Sequence, residues 1–319
     1  MLAALLALSL CAACDSRREC EPISAPLDET STACPRFGIS TPGGPVAVDE
    51  YRAVTGAVGT APGAVLWFVD FLSPPPLGAL DIVRASGADP IVTWEPWLQR
   101  DDGTYDRTSI SMTDIAAGIH DDHLYRWADE LAAWDGTVFL RFAHEPNGDW
   151  YPWGPAGGTS AETYVAAWRH VHDLFASKGA VNVRWIWTVN VPHEGSSPIA
   201  PLYPGDGYVD VIGVDGYNWG TTRQWSRWQS PEDLFGPTFD ELGRLAPERP
   251  VAVTEVASAE AGGSKPDWIR DLVAYLDSHP AVTTFVWFHH NKETDWRLTS
   301  TAECAAALDD ALHRRHTAR

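Results

Sequence analysis

Two glutamates, Glu145 and Glu255, each follow a short run of β-branched and aromatic residues, at 138–142 and 251–254. Two carboxyl groups brought to opposite faces of one glycosidic bond can cleave it. One protonates the leaving oxygen while the other attacks the anomeric carbon. The acid must keep its proton near neutral pH, which an apolar setting and a second carboxylate both promote. Two further acids end similar runs: Glu95 in Trp94-Glu95-Pro96-Trp97 and Asp215 in Asp215-Gly216-Tyr217-Asn218-Trp219. Any one such acid can serve as a structural ion pair or loop cap. A pair that converges on one bond is a different matter, so the question becomes what holds the acids.

Eight runs read as strands: 37–40, 65–70, 90–94, 138–142, 183–188, 209–214, 251–254 and 283–287. They are apolar almost throughout, as strands covered on both faces should be. Longer amphipathic stretches separate them. Thr159-x-x-Glu162 forms a capping box ahead of Tyr164, Trp168, Val171 and Phe175 at helical spacing, and Gly179 is the stop. Pro266 opens another helix with Ile269, Leu272, Val273 and Leu276 as its buried stripe. Eight βα units predict an α/β fold, a (β/α)8 TIM barrel spanning 36–316, with its active site at the C-terminal strand ends. A doubly wound sheet would fit the alternation too, but no glycine-rich phosphate loop follows the first strand. In the barrel, the fourth and seventh strands lie across part of the mouth from one another, and these carry Glu145 and Glu255.

Composition narrows the partner. The chain of 319 residues holds 16 Trp, and flat indole faces suit the apolar faces of pyranose rings, although many indoles will be core. A net charge of -20 argues against nucleic acid or an anionic membrane surface as partner. The opening MLAALLALSL is too short to span a bilayer and reads as a secretory h-region, without the usual basic residues ahead of it. Cys11-Ala12-Ala13-Cys14 looks like a lipoprotein cleavage site with Cys14 acylated. The expected layout is a leader at 1–14, a polar linker at 15–35 and an exported domain, extracellular or anchored to the cell envelope. A disulfide would then join Cys20 to Cys34 or Cys34 to Cys304. No cysteine has metal-ligand spacing within the domain, and His120-Asp121-Asp122-His123 reads as a solvated loop and helix start. No metal or other cofactor is expected.

The stretch RFAHEPNGDWYPWG at 141–154 closely resembles the acid/base segment of glycoside hydrolase family 26. DVIGVDGYNWG at 210–220, VTEVAS at 253–258 and FVWF at 285–288 resemble later segments of that family, so the likeness runs from Phe37 to about His313. It implies that Glu145 is the acid/base, Glu255 the nucleophile, and Arg141 and Tyr217 the groups that keep the nucleophile ionised and oriented. It also implies that His144 bonds near the cleaved sugar and that Trp150 and Trp287 are stacking walls. Trp94, Glu95, Asn147 and Trp219 lie in the same motifs and complete the expected substrate-binding set. Packing alone could instead account for Arg141 as an interior ion pair, Tyr217 and Trp287 as core rings, and His144 as a satisfied interior histidine.

Two positions depart from the mannan-cleaving pattern. Glu95 stands where many such members carry His, and Pro146 where many carry Met. The TWEPW form resembles a branch with mixed-linkage glucanases and exopolysaccharide-associated enzymes. The expectation is a monomeric, retaining endo-β-glycanase for a β-1,4-linked polysaccharide, with a mannan backbone first. A mixed-linkage β-1,3-1,4-glucan or an exopolysaccharide is the alternative substrate, and a non-catalytic carbohydrate-binding barrel the alternative function.

Overall fold

The computed structural model describes residues 27–29, 34–100 and 102–317. The expected leader, with Cys14, lies outside them. Eight parallel strands close into a barrel in chain order: β1 Arg36–Ser40, β2 Ala64–Asp70, β3 Asp89–Glu95, β4 Val138–Phe142, β5 Val183–Asn190, β6 Val211–Asn218, β7 Val251–Ser258 and β8 Val282–Phe288. β8 pairs with β1 over five residues, which closes the sheet and leaves no edge. Eight α-helices surround it among the described residues: α1 Val48–Val58, α2 Leu77–Ala85, α3 Met112–Ala116, α4 Asp121–Ala133, α5 Ala161–Ser177, α6 Pro231–Leu245, α7 Lys265–Asp277 and α8 Ala302–Thr317. The expected (β/α)8 barrel is therefore the observed fold.

The helices are not distributed one per strand. α3 and α4 both follow β3, whereas β5 runs to β6 through two short 3-10 turns, Ala200–Leu202 and Asp206–Tyr208. Pro192, Pro198, Pro201 and Pro204 punctuate that connection, and each removes a backbone donor that a helix would need. The start of α5 also moves by one residue. Ser160, not Thr159, accepts the Thr163 N–H at 3.2 Å, while the Thr159 hydroxyl donates to the Pro152 carbonyl. α7 begins at Lys265 after Ser264, and its four expected stripe residues are all buried.

Side chains alternate between the barrel interior and the sheet–helix interface. Ala64, Leu66, Ile91, Phe139, Ile186, Val211, Ala252 and Val286 fill the interior. Leu27 joins this cluster fully buried, and Thr283 Oγ1 donates to its carbonyl at 2.8 Å. Asp28 pairs with Arg184 at 2.6 Å. Residues 27 and 28 are thus part of the folded domain rather than a tether; burying one leucine is worth ~1.5–3 kcal/mol. Cys34 is disulfide-bonded, and Cys304 is a free, buried thiol, which excludes the pairing of these two.

Candidate active site

Above the apolar plug the interior turns polar, and Arg141 is its centre. Strand alternation puts Arg141 in the same inward layer as Thr93 of β3 and Thr188 of β5. Its Nη1 donates to Thr93 Oγ1 at 3.0 Å and to Glu255 Oε1 at 2.7 Å, and its Nε donates to Thr188 Oγ1 at 3.0 Å. Its Nη2 donates to Asp215, whose other oxygen accepts from Thr254 Oγ1 at 2.6 Å. A guanidinium with no exposure and three of its nitrogens bonded is fixed in position and charged.

Glu255 reaches the same space because β7 is irregular. Val253 pairs with Val214, but the next partner of Asp215 is Glu255, so Thr254 is the extra residue of a β-bulge. A bulge breaks strict alternation, and here Thr254 and Glu255 both reach the polar interior layer. The Tyr217 hydroxyl donates to Glu255 Oε2, so each carboxylate oxygen has a donor, one of them cationic. Both bonds fix the orientation of the carboxylate.

Glu145 is placed by an irregular turn after β4. Ala143 and Glu145 have φ of +43° and +51°, a region costly for residues with a Cβ. The surroundings hold them there. Ala143 N–H donates to the Trp94 carbonyl at 3.0 Å, Glu145 N–H to the Thr188 carbonyl at 2.9 Å, and the Tyr164 hydroxyl to the Ala143 carbonyl at 3.0 Å. Glu145 Oε2 accepts from Trp150 Nε1 at 2.7 Å. Burial, and then the neighbouring Glu255 carboxylate, push Glu145 up to about 7, against the pull of Arg141 and the Trp150 indole. Burial raises Asp215 as well, well above the usual carboxylate range against the pull of Arg141. Within the pair Glu145 and Glu255, Glu145 is the carboxyl that no cation touches.

Glu95 is a further buried acid at the end of β3. Burial pushes it up to about 8, and the charge of Glu255 adds to this. His144 is buried, with Nε2 hydrogen-bonded to the Tyr151 hydroxyl at 2.9 Å and Nδ1 without a partner. Burial and the Arg141 charge hold it well below the usual histidine range, so it is neutral at pH 7. The half-buried Trp150 stacks on His193 with centroids 5.2 Å apart, and the partly exposed Trp219 packs edge-on to Trp296 at 4.8 Å.

Three expected substrate contacts face elsewhere. Thr93 and Glu95 point inward on β3, so Trp94 points outward; it is fully buried and stacks on Trp127 of α4 with centroids 4.1 Å apart. Val286 and Phe288 likewise leave Trp287 outside the barrel, where its indole N–H donates to the Trp296 carbonyl and its ring meets Trp268 of α7. Phe288, not Trp287, borders Tyr217, with centroids 5.6 Å apart. Asn147 is fully buried, donating to the Asn190 carbonyl at 2.8 Å and accepting from the Asn190 N–H at 2.9 Å, so it clamps the end of β5. Asp215 was noted in the sequence only as a strand-end acid; nothing local marks it as the partner of an arginine 74 residues away. His123 bonds the Phe71 carbonyl and Asp121 bonds His170, in line with a structural role for that acidic segment.

The sequence profile of glycosyl hydrolase family 26 matches residues 112–300. The chain is 39% identical to endoglucanase H of Acetivibrio thermocellus over 252 residues, which is 77% of this chain and 26% of that protein. It is 28% identical over 182 residues to mannan endo-1,4-β-mannosidase A and B of Caldalkalibacillus mannanilyticus, covering 53% of this chain and 32% of that one. It thus spans about a third or less of either relative. In fold it is similar to a β-mannanase structure from Bacteroides ovatus, with a TM-score of 0.68 at 18% identity over 91% of each chain.

Proposed function

Because the chain belongs to glycosyl hydrolase family 26, we propose that it is a retaining endo-β-glycanase, with Glu145 as acid/base and Glu255 as nucleophile. The observation that carries this reading is the unequal treatment of two neighbouring carboxyls. Glu255 accepts from the Arg141 guanidinium and the Tyr217 hydroxyl, while Glu145 is buried beside it without a cation and pushed up to about 7. That division suits double displacement. Glu145 gives its proton to the glycosidic oxygen as Glu255 attacks the anomeric carbon, and the leaving sugar departs with the proton. Glu145, now ionised, takes a proton from water, whose oxygen attacks the same carbon and releases Glu255. Arg141 and Tyr217 hold the carboxylate in line for both steps.

For substrate we put a β-glucan backbone ahead of mannan. The 39% identity is to an endoglucanase, whereas the mannosidase match is at 28% over a shorter stretch. Glu95, in place of the histidine expected of mannan-cleaving members, points the same way. We further propose that the protein is exported, either extracellular or anchored to the cell envelope through Cys14. The test is release of new reducing ends from barley β-glucan, carboxymethylcellulose and galactomannan, with Glu145→Ala and Glu255→Ala beside the native protein. Loss of activity in both variants, with azide restoring turnover of an activated aryl glycoside in Glu145→Ala, is expected. Unchanged activity in Glu255→Ala overturns the nucleophile assignment, and an inverted product anomer by NMR overturns retention. Preference for galactomannan returns the substrate to mannan.

A further inference from the structure

The loop from β6 to α6 carries three indoles within ten residues, Trp219, Trp225 and Trp228, and they are used differently. Trp228 lies so close over Gly263 that a Cβ there would meet the ring at 2.4 Å. Trp219 sits against Trp296, with the Arg223 guanidinium 5.3 Å from its centroid. Trp225 instead stands 70% exposed, the one Trp among the exposed large hydrophobic side chains of the described residues. Single exposed apolar residues are ordinary, but this ring is on a braced segment. Ser226 Oγ donates to the Gly220 carbonyl at 2.8 Å, Thr222 Oγ1 to the Trp219 carbonyl at 2.7 Å, and Thr221 N–H to the Ala261 carbonyl at 3.0 Å. Arg223 Nη2 donates to the Glu293 carbonyl at 2.8 Å and so ties this loop to the one after β8. The indole is therefore held out in water rather than left free to fold back.

Its position continues the site. Tyr217 bonds the nucleophile, Trp219 follows at 6.5 Å between centroids, and Trp225 follows Trp219 at 5.3 Å. Each ring thus borders the next, from the tyrosine on Glu255 out to an exposed indole. Gln224 and Arg227, both exposed, flank the outermost ring with groups able to bond hydroxyls. We infer that Trp225 is the platform of a distal sugar-binding subsite, on which a pyranose ring of the bound chain stacks away from the bond that is cut. The inference rests on the glycanase reading and adds to it a length requirement. Longer chains reach Trp225 and shorter ones do not.

The test uses the full chain with Glu145→Ala to block turnover, and titrates barley β-glucan oligosaccharides from trimer to heptamer by calorimetry, following tryptophan fluorescence in parallel. Trp225→Ala is expected to weaken heptamer binding about five- to tenfold, as loss of one stacked pair would, with a penalty that shrinks as the chain shortens. Trp225→Tyr should recover most of the loss. An equal penalty at every length, or none at any, overturns the subsite. Failure of the parent protein to bind any β-glucan or galactomannan chain overturns the glycanase reading, and the subsite falls with it.

Discussion

Replacing Trp150 by Phe isolates one contribution to the proton affinity of Glu145. The indole N–H donates to Glu145 Oε2 at 2.7 Å and so stabilises the ionised carboxylate. Phe keeps the apolar bulk, and with it the burial that raises Glu145, but removes the donor. A hydrogen bond to a charged group is worth ~1.5–3 kcal/mol, and one pKa unit corresponds to about 1.4 kcal/mol. With water recovering part of the loss, the Glu145 pKa should rise by roughly one unit from its value of about 7. The sign follows from the role. An acid catalyst works protonated, so kcat/KM falls as pH rises through its pKa. A higher pKa carries that alkaline limb to higher pH. The assay is kcat/KM on soluble β-glucan from pH 4 to 9 for native protein and Trp150→Phe. An alkaline limb that stays in place refutes the contribution of the bond. One that moves down shows that access of water, not loss of the donor, dominates at this position.

Arg141→Met should leave Asp215 and Glu255 buried without a cation and cost about 3–5 kcal/mol in urea unfolding. Arg141→Lys keeps the charge but cannot span four acceptors, and should lower kcat while restoring only part of the stability. Tyr217→Phe removes a donor to Glu255, and kcat should fall about tenfold or more by the same charged-bond energy, measured on an aryl glycoside. Trp94→Ala and Trp287→Ala should each destabilise by about 3–5 kcal/mol while KM for polymer holds steady, because both rings are core; a raised KM would restore them to the substrate cleft.

The barrel was legible because eight apolar runs alternate with amphipathic stretches, and runs of that kind have few other arrangements. The convergence of Glu145 and Glu255 was legible because strand ends are where this architecture puts its chemistry. Orientation was less so. Trp94 and Trp287 stand beside the expected motifs, and only period-two alternation sends them outward; Glu95 and Phe288, one residue on, mark the inward parity. The β7 bulge breaks that same rule for Glu255, which no local pattern announces. Asp215 depends on a contact across the barrel, and such contacts leave no signature in spacing. The missing helix between β5 and β6 was readable in four prolines, where counting units outweighed the local residues. Leu27 shows the opposite failure, since a polar neighbourhood concealed one apolar residue that plugs the barrel.

The positive φ at Glu145 has a further consequence. A non-glycine residue in that region costs about 1–3 kcal/mol, and the side chain adds a buried acid without a cation beside it. Glycine would remove both burdens, so Glu145→Gly should fold at least as stably as the native protein while losing the carboxyl proposed as its acid catalyst. Selection for folding alone would not keep a glutamate there. The identity of this residue in any relative is therefore a record of use: a lineage that stopped cutting polysaccharide would be expected to let position 145 relax before the barrel changed elsewhere.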